Sequence, residues 1–303
     1  MKPVYRNVKG ERLDVNRDVN DGGITTGVYL SRFRVLMRYV CSPKSFVSLF
    51  TVHVLRPLIV AWQFLTAVPL SRSTHDAKPE ELAASMSWYP FVGVLLGLLL
   101  VAADRLFSNV FSSPVISLLL MLLLIGITRG LHQDGLADMV DGLAGGRTPQ
   151  ARLAIMRDGR VGAIGATGLF LALGLRYAGL TEMPGGEHFA LLVGMPVVGR
   201  WAMVMGAFHV TSARAEGGLA QPFLTHLSWL HLALATVMAG AVLALLVGPW
   251  LAGGCLLIGT ALVRLSTAWF HRMFGGVTGD LLGATNEAAE ILFLLIVPVV
   301  LVQ

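Results

Sequence analysis

Seven apolar stretches, at residues 85–103, 108–128, 161–180, 189–208, 229–248, 252–270 and 287–302, succeed one another with polar connections between them. Each is long enough to cross a bilayer as a helix, which takes roughly 20 residues. Backbone groups in hydrocarbon have no water to bond, so such stretches become helices and the chain becomes a helical bundle in lipid. The composition agrees, since only 14% of the residues are charged and 55% are hydrophobic, with a mean hydropathy of +0.70. A soluble protein carries about a quarter charged residues. The expected fold class is all-α, a polytopic helical integral membrane protein with about seven spans.

The chain ahead of the spans has a different character, because ten of the 23 basic residues fall before residue 57. Residues 1–45 mix Lys, Arg and Asp with Asn and Gly and show no apolar period. They read as a basic, disordered arm without a signal-peptide pattern, attached to a membrane-embedded unit over 46–303. Segment 46–70 is apolar but broken by His53, Arg56, Pro57 and Gln63, so an N-terminal interfacial or re-entrant helix is expected there. No basic helix with interleaved aromatics accompanies the net charge of +5. The excess is assigned to anionic headgroups of the lipid bilayer, and no nucleic-acid partner is expected. Cys41 and Cys255 are too few for a disulfide scaffold or a cysteine-built zinc site.

Connections 71–84, 129–160, 209–228 and 271–286 carry most of the remaining Arg and Lys, whereas 181–188 and 249–251 carry none. The positive-inside rule puts the first set in the cytoplasm. Arg176, near the outer end of its span, runs against this pattern and is expected to snorkel to the headgroups. Gly93 and Gly97 form a small-xxx-small pair and are read as a packing feature.

The long connection from Arg129 carries the chemistry. Asp134, Asp138 and Asp141 are spaced i, i+4, i+7, which on a helix places three carboxylates on one face. They repel, no Lys or Arg lies between them, and a divalent cation would offset the repulsion. Oxygen ligands without a His/Cys cluster favour Mg²⁺ or Mn²⁺ over zinc, and Mg²⁺ uses one or two carboxylates plus substrate phosphate oxygens. A hard divalent cation, Mg²⁺ or Mn²⁺, is therefore the expected cofactor and phosphoryl chemistry on a diphosphate the expected reaction. The plain alternative, a solvated helix face, is disfavoured by the apolar helices on either side, where charge is costly. Gly135 and Gly142 each follow an aspartate and would let the backbone approach a ligand closely. Arg147, Arg152, Arg157 and Arg160 offer cations to phosphate oxygens, with Asp158 between the last two, and His132 is a ligand, a base or a helix-start residue. A second polar cluster contains Thr278, Asp280, Glu287 and Glu290. The two glutamates sit at i, i+3 where the last span is expected to begin, a place the helix dipole also favours for acids.

On the residues alone three classes fit: a membrane alcohol phosphotransferase, a polyprenyl transferase and a cation transporter. A transporter would place its acids mid-span near broken helices, and these lie in loops and helix ends. The matching segments go further. HxDGLADxxDG at His132–Gly142, IMRDxRxG at Ile155–Gly162 and TGDxLGA at Thr278–Ala284, followed by Glu287 and Glu290, closely resemble the cobalamin synthase (adenosylcobinamide-GDP ribazoletransferase) family. QFLTxxP at Gln63–Pro69 and YPFVGVLLG at Tyr89–Gly97 match more weakly, and all run in family order over about residues 57–303. The family's usual serine between Asp158 and Arg160 is Gly159 here, and the first 50 residues have no counterpart.

The resemblance implies a multi-pass enzyme of the bacterial cytoplasmic (inner) membrane, its site facing the cytoplasm. Its reaction would join adenosylcobinamide-GDP to α-ribazole or the 5'-phosphate of α-ribazole and release GMP, with Mg²⁺. It implies Asp134, Asp138 and Asp141 as metal ligands, and Asp138, Asp158 and Asp280 as candidates for the base that deprotonates the ribazole hydroxyl. Such a base contributes typically 10²- to 10⁴-fold. It further implies substrate contacts from His132, Arg157, Arg160, Thr278, Glu287 and Glu290.

Overall fold

The computed structural model describes residues 54–70, 77–184, 186–214, 216–218 and 220–301. The expected arm over 1–45 and the first part of segment 46–70 lie outside the described residues. The helices are α1 (Arg56–Leu65), α2 (Pro79–Ser85), α3 (Tyr89–Phe107), α4 (Ser113–Thr128), α5 (Leu131–Gly145) and α6 (Pro149–Ile155), then α7 (Ala163–Thr181), α8 (His188–Ala207), α9 (Gln221–His226), α10 (Trp229–Val247), α11 (Pro249–Phe274) and α12 (Gly279–Leu301). Among the described residues the extended backbone pairs only at one isolated bridge, Ser212 with Val277.

Among the described residues, six helical stretches are long and apolar enough to cross a membrane: Pro79–Phe107, which contains α2 and α3, and α7, α8, α10, α11 and α12. The seventh expected span takes another form. Helix α4 has 16 residues, about 24 Å at 1.5 Å per residue, and turns by 89° into α5. The turn is made by two consecutive left-handed residues, Arg129 (φ 56°) and Gly130 (φ 65°), a conformation that stops an α-helix. The Arg129 guanidinium holds the corner by donating to the Thr66 carbonyl at 3.3 Å. With three aspartates on it, α5 leaves the spanning direction instead of extending the span. Helix α1, at 10 residues, is too short to cross by itself.

The bundle is built around α8, 94% of whose spanning window is buried. Its closest neighbour is α3, and the Gly93/Gly97 pair explains why. A Cβ at Gly93 would stand 2.6 Å from the Pro196 carbonyl oxygen, and one at Gly97 2.5 Å from the Val193 Cα. The expected packing role is what the structure shows. The outer helices are the reverse of a soluble protein: α7, α10 and α11 bury only 22%, 22% and 17% of their windows. Val237, Leu245, Trp250 and Leu257 lie exposed on them, an apolar surface that suits lipid and not water.

Arg176 corrects an expectation. It does not snorkel; it is fully buried and turned into the bundle. It pairs with Glu287 at 2.9 Å and Glu290 at 2.7 Å. Glu290 also pairs with Arg200, Asn286 donates to both glutamates at 3.3 and 3.1 Å, and Gln133 donates to Glu287 at 3.0 Å. Four helices, α5, α7, α8 and α12, meet in this network of two cations and two anions. A charge left alone there would face hydrocarbon, and breaking a buried pair costs about 3–5 kcal/mol. We therefore expect Arg176→Met to lower the melting temperature of the detergent-purified protein sharply. Adding Glu287→Met should restore part of the loss, because the second change removes the orphaned anion.

Candidate active site

Helix α5 starts where the chain leaves the corner after α4, and it carries the aspartates on one face as the i, i+4, i+7 spacing predicts. Asp134 is exposed and Asp138 and Asp141 are partly so. Asp280, in the first turn of α12, comes up against them from the other side. Gly135 makes this possible, since a Cβ there would lie 2.6 Å from the Asp280 carbonyl oxygen. The glycine thus admits a helix and not a ligand, and Gly142 likewise packs against Met156 and the Arg152 backbone.

The four carboxylates act on one another. The Asp138 carboxyl is pushed up to about 6, first by burial and then by the charges of Asp134, Asp280 and Asp141, with Arg214 pulling the other way. Arg214, absent from the sequence expectations, donates from Nη2 to Asp280 Oδ2 at 2.9 Å. It reaches α12 because its loop is tied down beside it: the Val277 N–H donates to Thr211 O at 2.9 Å and the Ala213 N–H to Val277 O at 3.1 Å. Gly276 leaves this pairing room, as a Cβ there would stand 2.6 Å from the Thr211 carbonyl oxygen. Nothing in the local pattern around Arg214 marks it; only its place in a charged connection hinted at a role.

Asp141 does something different from its neighbours. It accepts from the Gly162 and Gly165 N–H groups, both at 2.7 Å. A carboxylate at a helix N-terminus satisfies free donors and complements the dipole, so Asp141 anchors the start of α7 to α5. Among the described residues, no three His, Cys, Asp or Glu side chains are gathered closely enough to hold a metal ion by themselves. Hard oxygen donors that repel one another still fit Mg²⁺, which takes one or two carboxylates and completes its shell with phosphate and water.

The remaining expected residues lie elsewhere. Asp158 and Arg160 pair with each other at 2.7 Å on an exposed turn, the guanidinium holding the Asp158 carboxyl below the usual carboxylate range. Arg157 beside them is exposed, and Gly159 between them has φ 66°, a conformation that a serine would adopt only under strain. Arg152 is committed to the Met273 carbonyl at 2.6 Å. Thr278 is buried and caps α12, accepting from the Leu281 N–H at 3.3 Å. His132 is buried with its backbone against Gly283. Glu287 and Glu290 sit in the buried network: α12 begins at Gly279, so Glu287 lies about 12 Å inside the helix and not at its start. His132, Thr278, Glu287 and Glu290, which the resemblance gives to the substrate, are all buried among protein groups in this arrangement.

A carboxyl raised from 3.8 to about 6 in the folded chain favours the protonated native state. The stabilisation is present below the unfolded value and is lost as pH rises through about 6. Without divalent cations, the melting temperature should fall between pH 4 and 7 more steeply in the native protein than in Asp138→Asn. Equal slopes in the two proteins would show that Asp138 is not under this strain.

Residues 57–298 match the family described as CobS, cobalamin-5-phosphate synthase. The chain is 40% identical over 235 residues to the adenosylcobinamide-GDP ribazoletransferase of Syntrophobacter fumaroxidans, covering 77% of this chain and 94% of that one. It is 40% identical over 245 residues to the enzyme of the same name from Geotalea daltonii, with 80% and 96% covered. To that of Chlorobaculum tepidum it is 36% identical over 236 residues, with 77% and 91% covered. No solved structure matches. The matched region spans every helix from the corner to the last span and includes all four facing aspartates, and the chain belongs to the cobalamin-5-phosphate synthase family.

Proposed function

We propose that the chain is a Mg²⁺-dependent adenosylcobinamide-GDP ribazoletransferase, working from the cytoplasmic face of the bacterial inner membrane. It would join adenosylcobinamide-GDP to α-ribazole or its 5'-phosphate and release GMP. The observation that carries this reading is the meeting of Asp134 and Asp138 on α5 with Asp280 on α12, in a chain similar over its membrane region to proteins of that name. Acids that repel one another at a helix end, with one arginine beside them, suit a substrate whose reacting part is a diphosphate.

In this reading Asp134 and Asp138, one turn apart, would hold Mg²⁺ together with diphosphate oxygens. The ion would supply charge neutralisation for the departing GMP. Asp280, opposite them, accepts the proton of the attacking ribazole hydroxyl. Asp141 keeps the α5 face and the start of α7 together. Arg157, exposed on the turn before α7, is free to meet phosphate oxygens. Charge supports the sidedness: the arginine-rich connections gather at the end of the bundle that holds the aspartates, and α7 leads from there to the 181–188 turn, which has neither Arg nor Lys.

The decisive measurement is GMP release from adenosylcobinamide-GDP by the purified protein with α-ribazole added. Asp134→Asn and Asp138→Asn should each lower turnover by at least about 10²-fold and regain part of it at high Mg²⁺ or with Mn²⁺, as mass action offsets weaker binding. Asp280→Asn should fall comparably and gain nothing from metal. Turnover near normal in all three would leave the acidic face without a catalytic role. Topology has its own test in a background without Cys41 and Cys255. Gln150→Cys should label from the cytoplasmic side and Glu182→Cys from the other, and labelling of both from one side would overturn the orientation.

A further inference from the structure

We propose that Arg214 binds the substrate diphosphate, and that until substrate arrives it serves as the counter-ion of Asp280. This rests on the reaction proposed above and adds to it a residue from a loop that none of the recognised motifs contains. Three observations carry it. The first is position: Arg214 is bonded to Asp280 at 2.9 Å, and its charge acts on Asp138 against those of the other carboxylates. The second is capacity. A guanidinium has five N–H donors in a fork that matches phosphate, and here one nitrogen is engaged by Asp280 while the buried Nε has no hydrogen-bond partner among the described residues.

The third observation is how the residue is held. The Ser212 hydroxyl accepts from the Arg214 N–H and donates to the Arg214 carbonyl, both at 3.2 Å, and the Ser212–Val277 bridge fixes that loop to the start of α12. The backbone is pinned, and the long side chain on it reaches across to the carboxylates. The ion pair is partly open, with side-chain exposures of 21% for Arg214 and 27% for Asp280, so a ligand can reach it from outside the protein. An arginine here can therefore do more than hold the fold. Four carboxylates would repel a diphosphate, and a cation among them gives its oxygens a partner. The same positive charge opposes a divalent metal before substrate is bound. A diphosphate diester brings two negative charges against the single charge of Asp280 and offers oxygens to both nitrogens of the fork, so the incoming diphosphate draws Arg214 over and leaves Asp280 free to act.

The two roles move two binding constants in opposite directions, which a merely structural ion pair does not. With the full-length protein in detergent, Mn²⁺ alone titrated by electron paramagnetic resonance should bind Arg214→Gln severalfold more tightly than the native chain. Inorganic pyrophosphate, titrated calorimetrically at saturating Mn²⁺, should bind it about tenfold more weakly, the loss expected for a charged hydrogen bond. Arg214→Lys should fall between, and the melting temperatures should agree within a few degrees. Both affinities unchanged, or both weakened together with a lower melting temperature, would overturn the proposal. A native protein that shows this binding pattern but releases no GMP would sink the proposed reaction and leave Arg214 as a diphosphate ligand; normal turnover with unaltered binding in Arg214→Gln would remove Arg214 alone.

Discussion

A charge in a lipid-facing bundle must find its opposite, and the rest of the structure depends on how four of them do so. Arg176, Arg200, Glu287 and Glu290 come from three spanning helices, and Gln133 ties a fourth, α5, to Glu287. Few other arrangements of these helices would bury two arginines and two glutamates with each partnered. Shifting α12 by one turn would carry both glutamates about 5.4 Å along the axis and strand the arginines. The register set this way also decides what stands at the end of the bundle. Gln133 is next to Asp134, and Glu287 is two turns from Asp280, so pairing the inner residues brings the outer acids face to face.

The polar residues thus fall into two groups with opposite electrostatics. The inner group is dry and its formal charges cancel. The outer group, Asp134, Asp138, Asp141 and Asp280 with Arg214, is partly open and strongly negative. Its negative excess is what a dissolved cation and a phosphate-bearing substrate would complete. This division also weighs against ion transport. Mid-span charges and a broken helix pair are both present, as a transporter would have them, but the mid-span charges are spent on one another.

Glycine is the other means by which the site is assembled. Gly135 lets α5 meet α12, Gly276 lets the Arg214 loop meet the start of α12, and Gly93 with Gly97 seats α3 on the central helix. In each case the missing Cβ is replaced by the backbone of another element. A glycine beside a catalytic-looking aspartate had suggested room for ligand. Once the helices are in place, that room belongs to the protein.

How much of this was legible in advance follows from the range of the forces involved. The apolar stretches determined a helical membrane protein, because hydrocarbon leaves the backbone no alternative to internal hydrogen bonding. The spacing of Asp134, Asp138 and Asp141 determined their common face, because 3.6 residues per turn is a local geometry. The ordered motifs determined the family. What needed the tertiary structure were the pairings between distant segments: Arg176 turning inward to Glu287 and Glu290, Asp141 capping α7, Asp280 crossing to α5, and Arg214 joining it. Each reverses or extends what its local sequence suggested. Arg176 reads as a headgroup anchor until a carboxylate is known to lie behind it, and Glu287 reads as a helix-start acid until α12 is seen to begin at Gly279. Charge in a low-dielectric bundle is settled by its nearest opposite in space, and separation along the chain carries no information about that distance.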